Sequence, residues 1–147
     1  MEIEKKFALL QNTYAAALAE TVNTYGKLNV LEEIVKSKKI RQKQTAPYLN
    51  QQLNITAADE VFTKLAEIFG CANWTVEQTE CEFIATATTC KLCFLSKKMG
   101  GANPCHGWCL DPMFAMIESL GIEEKNITVE STLMDGELCK VIIKKNN

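Results

Sequence analysis

Four of the chain's seven cysteines and its only histidine fall within one stretch of twenty residues, CKLCFLSKKMGGANPCHGWC, from Cys90 to Cys109. The spacing is Cys90-x2-Cys93-x11-Cys105-x3-Cys109, with His106 directly after Cys105. Gly100-Gly101-Ala102-Asn103-Pro104 lies between the two close thiol pairs and suits a turn. The pattern reads as two halves of one site, so any fold of this chain has to bring both halves together.

Zinc is commonly held by four Cys or Cys/His ligands supplied as two close pairs. Cys90 and Cys93 make a standard first pair, and Cys105 and Cys109, with His106 as a spare donor, make the second. The predicted metal ligands are therefore Cys90, Cys93, Cys105, His106 and Cys109, with zinc as the ion. An iron–sulfur cluster is the alternative, since it needs only the same thiolates. A second reading is nucleophilic catalysis. Cys109 lies just ahead of Asp111-Pro112, which has the form of a helix N-cap followed by Pro at the first helical position. A helix N-terminus favours a thiolate. His106 is the one base of its type in the chain, so Cys109 and His106 form the candidate catalytic pair. The bland reading is buried structural cysteine, because a free thiol behaves as a small hydrophobe. Cys71 and Cys81 fit it, having neither a close partner nor a histidine.

Along the chain, Ile3, Phe7, Leu10, Tyr14, Ala17 and Leu18 recur at helical spacing and predict an amphipathic helix over 3–25 that stops at Gly26. A second helix is expected over 28–44, with Leu28, Leu31, Ile34 and Val35 as its apolar side and Pro47 breaking the pattern beyond it. Its end, KSKKIRQK from Lys36 to Lys43, reads as a solvated helix terminus complementing the dipole rather than as an anion-binding patch. A third helix is predicted over 57–69, with Thr56 as N-cap and Gly70 as stop.

At Cys71 the period changes. Residues 74–80 and 82–90 alternate and read as a β-hairpin, with Cys81, Phe83, Ala85, Ala87 and Thr89 sharing one face. A helical turn near 104–109 and a helix over 112–120 follow. A second hairpin closes the chain, with ITVESTL and LCKVIIK as strands and Asp135-Gly136 as a type I′ turn signal. The fold expected is α+β: N-terminal helices, then hairpin, helix and hairpin, giving an antiparallel sheet with helices packed on one face. One domain over 1–147 is expected, helical over 1–70 and carrying sheet and cysteines over 71–147.

The formal net charge is −2, which argues against a general nucleic-acid binder. No window reaches the roughly 18 apolar residues of a membrane span, and MEIEKKFALL does not read as a secretory signal. Seven cysteines are an odd number. With no signal, reduced thiols used for metal or chemistry in the cytoplasm are the expectation, without structural disulfides.

Three segments carry a family resemblance: a strand ending in Thr88-Thr89-Cys90, then Cys109 leading LDPMFAMIESLG, then a terminal hairpin in which DGELC places Cys139 before Val141. In these the chain resembles the 4-vinyl reductase domain superfamily, and within it the L-2-amino-thiazoline-4-carboxylic acid hydrolase-like family. The resemblance implies an α+β domain with a pocket between sheet and helices that binds a small molecule, with pocket cysteines able to hold a metal. The hydrolase name implies opening of a thiazoline ring. Cys93, Cys105 and His106 fall outside the resembled pattern. That leaves Cys90, Cys109 and Cys139 as one candidate set, with Cys90 and Cys139 cofactor-binding, and the local cluster as another.

The function expected is a cytosolic, sensor-like domain that binds a small-molecule ligand beside a cysteine-rich zinc site. The alternatives are a thiol- or metal-dependent hydrolase of a small cyclic amide-like substrate and an iron–sulfur protein. No nucleic-acid or membrane partner is expected; a homodimer is.

Overall fold

A computed structural model describes residues 1–145. Three helices come first: α1 (Ile3–Lys27), α2 (Leu31–Gln52) and α3 (Ala58–Phe69). A hairpin of β1 (Thr75–Gln78) and β2 (Glu82–Ala87) leads into α4 (Lys91–Met99). A π-helical turn over His106–Leu110 then runs directly into α5 (Asp111–Ser119). A short 3-10 turn (Glu124–Asn126) leads to β3 (Ile127–Ser131) and β4 (Cys139–Lys144). The sheet order is β1-β2-β4-β3, antiparallel throughout, so the two hairpins meet along β2 and β4. This is the expected α+β arrangement.

Register across the central pair sets the core. Phe83 pairs with Ile143, Ala85 with Val141 and Ala87 with Cys139, and all six are buried. Alternation sends their neighbours to the other face, and a one-residue slip would expose the whole set. The buried face meets α3, where Phe62 is fully buried and packs edge-on against Trp74 with ring centroids 5.0 Å apart. At the start of α3, Glu60 Oε1 accepts the Ala57 N–H at 3.1 Å, and Gly70 ends the helix in the left-handed conformation. The expected N-cap, Thr56, lies one residue earlier and bonds the same carboxylate.

Several boundaries and faces differ from expectation. In α1, Ile3, Phe7 and Leu10 are exposed, and the helix buries Ala15, Ala19, Val22 and Asn23 instead. The small side chains let α4 approach closely. Asn23 then fastens the contact: its Nδ2 donates to Ser96 Oγ at 3.0 Å and its Oδ1 accepts the Ala102 N–H at 2.9 Å. Helix α2 runs on to Gln52 with Pro47 inside it. Proline removes one helical hydrogen bond, but Ala46 and Asn50 on either side are buried, and Asn50 Nδ2 donates to the Met116 carbonyl of α5 at 2.9 Å. The basic run is consequently mid-helix. Lys39 reaches Glu124 at 3.2 Å, Lys43 reaches Glu118 at 3.8 Å, and Lys38 lies over the Trp108 ring. Residues 91–99, to which the sequence pattern assigns no element, form α4.

The last hairpin is also looser than a two-residue turn. Thr132 carbonyl oxygen accepts the Gly136 N–H at 2.8 Å, Gly136 lacks the positive φ of a type I′ turn, and a bulge separates Val129 from Ser131. Among the described residues no helix is long and apolar enough to cross a membrane.

Candidate functional site

The cysteine-rich stretch splits into two structural parts. Cys90 is the N-cap of α4, in extended conformation, and its Sγ accepts the backbone N–H of Cys93 at 3.5 Å. The first N–H groups of a helix have no carbonyl partner, so a side chain at this position takes their place. Cys93 is buried one turn in, and its Sγ lies 3.7 Å from Cys105 Sγ. The Gly100–Pro104 segment returns the chain to make this contact, and Cys105 is itself buried.

Cys109 sits elsewhere. Asp111 has helical backbone angles and donates its N–H to the His106 carbonyl five residues back. Asp111-Pro112 is therefore the interior of a continuous helix and not its start, which corrects the expectation that Cys109 precedes a helix N-terminus. With no dipole end beside it, burial dominates and pushes the Cys109 thiol well above its ordinary range; the nearby Cys90 adds to this. His106 turns the other way: its ring is largely exposed, and its Nδ1 lies 3.4 Å from Asp111 Oδ1.

The π turn is held by α2. A Cβ on Gly107 would meet Val35 Cγ2 at 3.0 Å, and Gln42 Nε2 donates to the Gly107 carbonyl at 2.9 Å. One extra residue in the turn resets the helix phase. Trp108 and Cys109 then both line a cavity of about 370 Å³ between the helices and the sheet end. Tyr14, Trp74, Cys71, Cys90 and Met113 also face it. Its walls are apolar apart from thiols and a few polar tips such as Gln52.

The thiols differ in charge. Contact with the Cys93 thiol, together with the backbone N–H groups of Cys93 and Leu92, holds Cys90 down to about 6 despite burial. Hydrogen bonding to Cys105 and Cys90 keeps Cys93 protonated, far above its ordinary range. Cys93 also lowers Cys105, to which Thr132 adds a side-chain hydrogen bond. The backbone N–H groups at the start of α4 act on Cys90, so Cys90 is the thiolate supported by a helix start. Burial pushes Cys71 and Cys139 up to about 11. Cys139 Sγ accepts the Leu133 N–H at 3.2 Å, and Cys81 is exposed at the start of the hairpin's second strand.

Of the predicted site residues, the structure brings Cys90, Cys93 and Cys105 together and leads Cys109, His106 and Cys139 to other contacts. Among the described residues no group of three or more His, Cys, Asp or Glu is arranged to hold a metal ion. Neither the local set of five donors nor the set Cys90, Cys109 and Cys139 fits a shared ion, and no step is derived through one. Trp74 and Trp108 were not legible as site residues. They are the chain's two tryptophans, and one lies inside the cysteine stretch, which was the available signal.

No protein-family model, curated protein or solved structure matches this chain.

Proposed function

We propose that this chain is a small-molecule-binding domain whose ligand occupies the cavity walled by Trp74, Trp108 and Met113. The observation that carries the reading is the cavity itself. At about 370 Å³ it falls in the range of ligand pockets, which run from about 300 to 1,000 Å³ and are mostly apolar with few polar groups. The lining sets the ligand class: a flat or compact apolar body with one soft or polar group that meets the Cys90 thiolate and the Cys109 thiol. A pocket between sheet and helices is also what the resemblance to the 4-vinyl reductase superfamily implies. The setting that suits its thiols is the reducing cytoplasm.

One observation favours a hydrolytic variant of the same reading. The Cys90 thiolate faces the cavity and replaces Cys109 as the nucleophile such an enzyme would use.

The test is a panel of uncharged aromatic and aliphatic compounds, screened by native mass spectrometry and thermal shift on the reduced protein. One-to-one adducts with raised melting temperature are expected, concentrated among apolar compounds. Stabilisation only by highly charged compounds would contradict the reading.

A further inference from the structure

We propose that Cys90 and Cys93 form a thiol–disulfide exchange pair, with Cys90 as nucleophile and Cys93 as resolving thiol, whose substrates are small anionic disulfides. Cys90 is the N-cap of α4 and Cys93 is the third helical residue. In a capping box these are the two positions whose side chains each turn back to the other's backbone N–H, which brings them to the same side of the helix start. The backbone already records the approach, since the Cys93 N–H is aimed at Cys90 Sγ.

The two sulfurs also divide the labour that exchange requires. Cys90 is half-buried, whereas Cys93 is 4% exposed. A nucleophile needs access and thiolate character; a resolving thiol needs shelter and a retained proton until its turn comes. The Cys93 thiol satisfies the second condition through its contact with Cys105 Sγ at 3.7 Å.

Access comes from outside the ligand cavity. Cys90 and Cys93 both line a separate, more open groove of about 350 Å³, walled by Thr88, Phe94, Lys91 and Lys97. The Lys91 ammonium bonds Asn12 Oδ1 at 2.8 Å and the Lys97 ammonium bonds the Leu133 carbonyl at 2.6 Å. Among the described residues neither meets a carboxylate there, so the groove they line keeps positive charge that favours an anionic partner. The inference therefore does not rest on occupancy of the apolar cavity, and either reading can fail without the other.

The chemistry balances with a small disulfide RSSR as oxidant. Cys90 thiolate attacks one sulfur, forming the mixed disulfide Cys90–S–S–R and releasing RS⁻. Cys93 Sγ then attacks Cys90 Sγ, its proton passing to the second departing RS group. Two cysteine sulfurs are oxidised to one disulfide, and RSSR is reduced to RS⁻ and RSH.

The experiment uses full-length, chelator-treated, reduced protein under nitrogen. It is exposed to oxidised glutathione, acid-quenched, alkylated and digested with trypsin. Cleavage after Lys91 separates the two cysteines, so a Cys90–Cys93 bond holds two peptides together, and fragmentation assigns the bond among Cys71, Cys81 and Cys90 of the 65–91 peptide. That linked pair is expected in the wild type and in Cys105→Ser. Cys93→Ser is expected to accumulate the mixed disulfide on Cys90, and Cys90→Ser to form neither. Oxidised glutathione should react several-fold faster than cystamine, which is cationic, at low salt. A disulfide that joins Cys93 to Cys105 instead, or equal oxidation in Cys90→Ser, would overturn the proposal. So would faster reaction with cystamine. Should the serine variants not fold, the wild type decides alone. Iodoacetamide should modify Cys90 with a rate midpoint near pH 6, and a midpoint near 9 would overturn the assignment of Cys90 as nucleophile.

Discussion

The Sγ atoms of Cys93 and Cys105 lie 3.7 Å apart beneath the first turn of α4, so the two halves of the cysteine-rich stretch touch through one buried pair. Cys90 caps the helix above them, and Cys109 leaves for the cavity wall. This division leads to different expectations for each thiol.

Stability should depend on pH through Cys90. Its thiol is held at about 6 in the fold against an ordinary 9.0. The folded chain therefore binds this proton less tightly than the unfolded chain. The stabilisation is fully present above about pH 9 and is lost as pH falls through about 6. Cys71 and Cys139, raised to about 11, act oppositely: their contribution is present below about pH 9 and lost as pH rises through about 11. Urea unfolding of wild type and Cys90→Ser at pH 6, 7.5 and 9 checks this. The stability gap between them should widen with pH, and a constant gap would count against a Cys90 thiolate.

Phe62 anchors α3 to the sheet and is fully buried against Trp74. Phe62→Ala should cost about 3–5 kcal/mol. Ile40→Ala, at a residue 63% exposed, should change stability by no more than about 0.5 kcal/mol. Equal effects in denaturant titrations would mean that α3 does not pack as described.

Asn23 ties α1 to α4 and to the Gly100–Ala102 turn. Asn23→Ala removes the acceptor for the Ala102 N–H and the donor to Ser96. Leaving such groups unpaired costs about 1–3 kcal/mol. Hydrogen exchange at Ala102 should accelerate in the variant, and unchanged protection would contradict the contact.

These elements also show what the sequence could and could not reveal. Both hairpins and α3 were legible because one face of each is buried, so alternation at Phe83, Ala85 and Ala87 carries the signal directly. The buried face of α1 was not legible. Hydrophobicity pointed to Ile3, Phe7 and Leu10, but contact with α4 is made through Ala15, Ala19 and Asn23, where closeness matters more than apolar bulk. Helix α4 was missed for a related reason: its buried positions are Leu92, Cys93 and Ser96, and its cap is a cysteine instead of the usual Ser, Thr, Asp or Asn. Asp111-Pro112 misled because proline is also tolerated where a preceding π turn has already displaced the helical bonds. The location of the site was legible from the density of sulfur. The identity of its thiolate depends on which cysteine caps a helix, and that helix was the one missed.

Metal uptake offers a test of that reassignment. Chelator-treated wild type, Cys109→Ser and His106→Ala should all fail to take up stoichiometric zinc, because no group of donors among the described residues is arranged to hold an ion. Competition with a colorimetric zinc chelator measures it. Stoichiometric zinc uptake by the wild type that is lost in Cys109→Ser and His106→Ala would restore a shared four-ligand site.

The central claim is that the cavity takes an apolar ligand, and both tryptophans of the chain line it. N-phenyl-1-naphthylamine is uncharged, compact and excited by tryptophan emission, so it reports occupancy beside Trp74 and Trp108. Titrated into reduced protein, it should show saturable one-to-one emission on tryptophan excitation. Ala66→Phe, which adds a ring to the cavity wall, should weaken binding by at least about tenfold, since even one poorly accommodated methylene costs about 1–3 kcal/mol. The urea midpoint of the variant should stay near that of the wild type. Absent or non-saturable binding in the wild type, or equal affinity in a folded Ala66→Phe, would contradict the account.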